Sequence, residues 1–79
     1  MDEIVKKVNE YLKSEGLEVA QIIPYKKAYV CLLREIGRDE PKDDNCALLV
    51  DATGEKYEDI PLFGIMKDLQ RNASKGKMY

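Results

Sequence analysis

The run Ala28-Tyr29-Val30-Cys31-Leu32-Leu33-Arg34-Glu35-Ile36 decides the fold when read with Cys46-Ala47-Leu48-Leu49-Val50, because neither run has a polar face. In the first, Ala28, Val30, Leu32 and Ile36 fall on one side of an extended chain, while Tyr29, Cys31 and Leu33 fall on the other. In the second, Cys46, Leu48 and Val50 alternate with Ala47 and Leu49. A half-exposed antiparallel strand alternates apolar with polar residues instead. Both sides of this sheet therefore need cover.

Candidate covers flank the two runs. Upstream, Ile4, Val5, Val8, Tyr11 and Leu12 form one stripe at helical spacing, with Lys6, Lys7, Asn9, Glu10 and Lys13 opposite, which predicts a helix over Asp2–Glu15. Asp2 and Glu3 suit its positive end, and each precedes a lysine by four residues. Gly16-Leu17 reads as a left-handed cap with an apolar residue folding back. Downstream, Asp59 is a candidate N-cap and Pro61 a first-turn residue of a second helix, with Leu62, Ile65, Met66, Leu69 and Ala73 on one face. Phe63 flanks that stripe, and Gly64 weakens it.

Between the helices, Glu18 to Tyr25 carries a strand signal in Val19, Ala20, Ile22 and Ile23, and Pro24 suggests an edge position or a bulge. Lys26-Lys27 form a tight basic turn. Gly37 to Asn45 is polar or punctuating throughout and predicts an exposed loop, and Asp51-Ala52-Thr53-Gly54 is a turn signal. Glu55 to Glu58 around Tyr57 would add a short fourth strand. The expected fold is α+β: an N-terminal helix, an antiparallel meander of three to four strands, and a C-terminal helix packed on the sheet. It is one small domain over residues 1–79, with 74–79 read as a flexible tail.

The chain is 44% apolar and 35% charged, with a net charge of −2, as expected of a globular protein. Its apolar runs fall far short of the roughly 20 residues of a spanning helix, and Met1-Asp2-Glu3 is unlike a signal peptide. A cytoplasmic location without membrane contact is the expectation. Two cysteines do not make a disulfide framework, and Cys31 and Cys46 are read as reduced core residues. A hairpin turning at Glu40-Pro41 would set Cys31 opposite Val50 and Cys46 opposite Glu35, holding the thiols about 13 Å apart along the strands.

Histidine is absent, which removes triads, Cys-His pairs and His-ligated metals. The five glycines are isolated, so no phosphate loop exists, and no motif calls for a cofactor. Carboxylates such as Asp51, Glu55 and Asp59 near the turn are the most plausible carriers of acid-base chemistry, and all three double as turn or capping residues. The chain therefore reads as non-enzymatic.

Charge is unevenly spread. Gly37 to Ile60 holds eight acids against three bases, whereas Pro61 onward carries Lys67, Arg71, Lys75 and Lys77 against Asp68. The leading expectation is a protein-interaction or regulatory module that meets another protein or a copy of itself through a sheet face or edge. Tyr29, Cys31 and Leu33 would centre that surface if both helices shared one face. A first alternative is a Ca²⁺ or Mg²⁺ binder using Asp39, Glu40, Asp43 and Asp44, although this run lacks the spacing of an EF-hand. A second is a nucleic-acid accessory protein using Tyr25, Lys26 and Lys27, which the net negative charge disfavours.

Overall fold

The computed structural model describes residues 2–40 and 46–79. Helix α1 (Asp2–Leu12) continues as a 3-10 turn over Lys13–Glu15. Strands β1 (Leu17–Tyr25), β2 (Ala28–Glu35), β3 (Cys46–Asp51) and β4 (Tyr57–Pro61) follow. Helix α2 (Met66–Asn72), a 3-10 turn at Ala73–Lys75 and a two-residue strand β5 (Lys77–Met78) complete the fold. The sheet order is β4-β3-β2-β1-β5, antiparallel throughout. This is the α+β meander expected, with one more strand. No helix among the described residues is long and apolar enough to cross a membrane.

The helices lie on opposite faces. Val5, Val8 and Leu12 of α1 pack with Val19, Ile22, Cys31, Leu48 and Val50. Leu69 of α2 packs with Ile23, Val30 and Ala47, joined by the half-buried Leu62 and Ile65 of the link from β4. Each apolar face of the β2-β3 hairpin thus meets its own helix, and both faces are core. Tyr11 extends the α1 cover to β4 by stacking on Tyr57, with ring centroids 4.2 Å apart.

A bulge makes β1 serve both layers. Val19 pairs with Leu33, but Gln21 pairs with Leu32, so Ala20 is an extra residue. That insertion reverses the side-chain alternation, placing Val19 and Ile22 under α1 and Ile23 under α2. The bulge sits four residues before Pro24. Pro24 itself lies past the end of the β5 pairing, where β1 is an edge and no strand asks for its missing N–H.

Several boundaries differ from expectation. The fourth strand is Tyr57–Pro61, so Asp59 and Pro61 belong to β4 and are neither cap nor first turn of a helix. Pairing of Cys46 with Pro61 and Ala47 with Ile60 outweighs the local helix signal, and α2 starts only after Gly64 at φ +92°. Cys31 pairs with Leu48, two residues from the expected partner, which halves the expected offset between the thiols while preserving every residue's face. Both cysteines are free, but only Cys31 is core; Cys46 is exposed at the strand end. The expected turn at Glu40-Pro41 falls partly outside the described residues.

The end of the chain, read from sequence as a tail, is tied to the β1 edge, to α1 and to Arg34. Lys77 pairs with Ile22, and the Tyr79 N–H donates to the Ala20 carbonyl at 2.9 Å. The Tyr79 hydroxyl and Lys77 Nζ both donate to Asp2 of α1, and Arg34 donates to the Tyr79 carbonyl. These contacts are polar and distant in sequence, so no apolar period announces them. Gly76 is required by the approach: a Cβ there would stand 2.3 Å from the Ile22 carbonyl oxygen.

Gly76→Ala should therefore push β5 from β1, read as lost hydrogen-exchange protection at the Tyr79 amide with the β2-β3 amides still protected. Ile22→Val, which removes one methylene from a fully buried site, should lower unfolding free energy by about 0.5–1.5 kcal/mol in urea titrations.

Candidate functional site

The residues singled out from sequence are dispersed by the fold. Tyr29, Cys31 and Leu33 lie beneath α1, with Cys31 fully buried and the other two packed around it. The shared helix face that would have exposed them is not formed. Burial pushes the Cys31 thiol up to about 12, so it is inert at neutral pH.

Asp39 and Glu40 are exposed after β2, while Asp43 and Asp44 lie outside the described residues. Among the described residues no group of His, Cys, Asp or Glu is arranged to hold a metal ion. Tyr25, Lys26 and Lys27 stand together at the β1-β2 turn, with Lys26 Nζ 5.4 Å from the Tyr25 ring centroid. Lys26 takes φ +54°, the position of a two-residue hairpin turn that glycine favours. Tyr25 is partly committed to the core beneath α2.

Of the three turn carboxylates, Asp51 is occupied structurally. Its side chain accepts from the Thr53 hydroxyl at 2.8 Å and from the Glu55 and Lys56 amides at 3.0 and 3.1 Å. These hydrogen bonds, the Thr53 one foremost, hold its carboxyl below the usual 3.8. The turn they build presents the Thr53 carbonyl to Lys7 of α1 and seats Gly54, at φ +77°, against Ile4 and Lys7. Glu55 is exposed. Asp59 lines a cavity of about 310 Å³ between the end of α1 and the β3-β4 strand ends, together with Tyr11, Glu15, Leu48 and Cys46. This cavity gathers a free thiol, two carboxylates and a phenol. Its lining holds no histidine to act as the thiol's base and no cation to favour a thiolate.

The sheet edges are blunted. On β4 the exposed Glu58 and Asp59 and the terminal Pro61 oppose pairing with another strand, and β5 presents only two residues, one of them Lys77. Arg34 is held by Glu18 at 3.3 Å, and Glu35 by Arg38 at 3.1 Å, so neither strand-end charge is offered to a ligand.

Large apolar side chains are exposed in more than one place, Ile36 and Met78 beside the β1 edge and Tyr11 on α1 among them, and one such patch lies beside α2. Phe63, the only phenylalanine in the chain, is 90% exposed on the Leu62–Ile65 link, and Met66 next to it is 47% exposed. Leu62 and Ile65 point into the core on either side, which forces Phe63 outward. Adjoining it, Leu62, Met66 and Leu69 enclose a groove of about 180 Å³ floored by Ile23 and Leu32. Sequence periodicity placed Phe63 only at the flank of the helical stripe. Its readable signal is a large aromatic followed directly by a glycine, outside the apolar period.

Two outcomes follow. A thiol reagent at neutral pH should modify Cys46 alone in the native protein and both cysteines after denaturation; rapid double labelling would contradict the core assignment of Cys31. A depressed folded-state pKa adds stability above the ordinary value near 3.8 and loses it as pH falls toward the folded value. Asp51→Asn should accordingly flatten the acid limb of the stability profile in urea titrations from pH 7 to pH 2.5, and parallel profiles for the two proteins would rule the linkage out.

No family model, curated protein or solved structure matches the chain.

Proposed function

We propose that the chain is a non-enzymatic protein-interaction module whose contact surface is the apolar patch of Phe63, Met66 and the adjoining groove. The carrying observation is the 90% exposure of Phe63 beside a half-exposed Met66. Single exposed apolar residues are ordinary on a protein surface. An exposed aromatic that directly follows a groove-lining residue, Leu62, resembles an interface anchor, in which a few large side chains supply most of the binding energy.

The rest of the molecule supports the reading by its economy. Both sheet faces are core, both edges are blunted, and the titratable groups with shifted equilibria serve a turn, the core and the β5 clamp. The proposal relocates the interaction surface from the β2 face, where Tyr29, Cys31 and Leu33 lie, to the link before α2.

Photo-crosslinking from position 63 tests it. With benzoylphenylalanine replacing Phe63, irradiation of the purified chain and of source-cell lysate should give discrete protein adducts that Met66→Asp abolishes. The same probe at exposed Glu10 on α1 should give none. Equal, diffuse labelling from both positions would defeat the reading.

A further inference from the structure

The segment from Ser74 to Tyr79 is fastened to the fold by a different kind of contact from the core. Strand β5 makes two residue pairs with β1, Met78 with Gln21 and Lys77 with Ile22, and no residue from Ser74 to Tyr79 is buried. Apolar burial therefore contributes little to its hold, and polar ties supply the rest. One acceptor gathers them: Asp2 Oδ1, in the first turn of α1, accepts from Lys77 Nζ at 2.9 Å and from the Tyr79 hydroxyl. Lys77 Nζ also lies 5.2 Å from the Tyr79 ring centroid, which joins the two donors to each other.

These ties lie across the outer edge of β1. The Tyr79 N–H donates to the Ala20 carbonyl, the two β5 pairs follow at Gln21 and Ile22, and Gly76 packs against the Ile22 carbonyl. We propose that β5 is a releasable strap: Asp2 fastens it across the edge of β1, and it opens as a unit, with both halves of the core intact, to uncover that edge. While closed, it takes the main-chain hydrogen bonds through which β1 would pair with another strand, so the contact is autoinhibitory for strand addition at this edge.

The strap is separable from what it covers. Segments with few buried apolar contacts and exposed hydrogen bonds open locally at low cost. By contrast, the inner side of β1 is held by a ladder from Leu17 with Glu35 to Tyr25 with Ala28, and Ile22 beneath it is fully buried. Arg34 does not replace Asp2, since it reaches only the Tyr79 carbonyl and is shared with Glu18 at 3.3 Å. The ties, that of the Tyr79 hydroxyl foremost and Lys77 next, hold the Asp2 carboxyl below its ordinary 3.8, so the acceptor is charged at neutral pH. Glu3 stands beside Asp2 in the same first turn and is exposed, but the donors of the strap go to Asp2. It is therefore the control for any effect of charge on the helix itself.

Amide hydrogen exchange of the full chain, read by NMR at neutral pH, tests the strap. In the wild-type chain the Tyr79 amide should exchange faster than the β2-β3 amides. Asp2→Ala should speed exchange at Tyr79 by about three- to tenfold, leave the β2-β3 amides unchanged, and hasten tryptic cleavage after Lys75 and Lys77. Glu3→Ala should do none of this. Tyr79→Phe, which keeps the ring and removes one donor, should reproduce part of the effect and shrink that of Asp2→Ala made on top of it. Exchange at Tyr79 as slow as at the β2-β3 amides would mean that β5 opens only with the whole fold, and would overturn the proposal. Equal effects of Asp2→Ala and Glu3→Ala, or an Asp2→Ala chain whose Tyr79 amide exchanges as in the wild type, would overturn it too.

Discussion

Everything in this fold follows from a β2-β3 hairpin that has no side fit for water. Cys31, Leu48 and Val50 need cover on one face, and Val30 and Ala47 on the other, and all five are at most 3% exposed. A small domain has little surface to spare for this, since the buried share of its chain shrinks with size. The solution is to spend one helix on each face. Helix α1 is fully formed and reaches from β1 to β4, closing with the Tyr11-Tyr57 stack. Helix α2 has only seven residues and needs the Leu62–Ile65 link to complete its layer. The shorter cover leaves Phe63 and Met66 exposed.

That shortfall connects architecture to the proposed activity. A seven-residue helix supplies one buried side chain, Leu69, and its layer is filled by residues of the approach to it. The turn closed by the Ile65 amide donating to the Leu62 carbonyl leaves Leu62 and Ile65 half-buried and Phe63 exposed, near a groove that the short helix does not fill. The proposed interaction surface arises from how the second face is covered. It is not a third layer added to the fold.

The fold class was legible because two signals agreed: two-faced apolar strands and a strong helical stripe at Ile4, Val5, Val8 and Leu12. The Gly16 cap was equally legible, and Gly16 does adopt φ +72°. The start of α2 was not, because Asp59 and Pro61 carry helix-start chemistry while their strand pairing depends on β3, more than ten residues away. β5 was hidden for a similar reason. Its anchors, Asp2, Ala20, Ile22 and Arg34, are spread over the whole chain and leave no local period. The bulge at Ala20 cancelled the alternation that would have shown which half of β1 faces which helix. For the site, the hairpin face at Tyr29, Cys31 and Leu33 rested on both helices sharing a face, and sequence alone does not assign helices to faces. Phe63 could be noticed but not weighed until the orientation of its neighbours was known.

The central claim is the division of the sheet between the helices, and methyl NOE spectroscopy tests it most directly. The account predicts contacts from Val5, Val8 and Leu12 to Ile22, Leu48 and Val50, contacts from Leu69 to Ile23, Val30 and Ala47, and no methyl shared between the two sets. Leu69 methyls in contact with Leu48 or Val50 would place both helices on one face and contradict it.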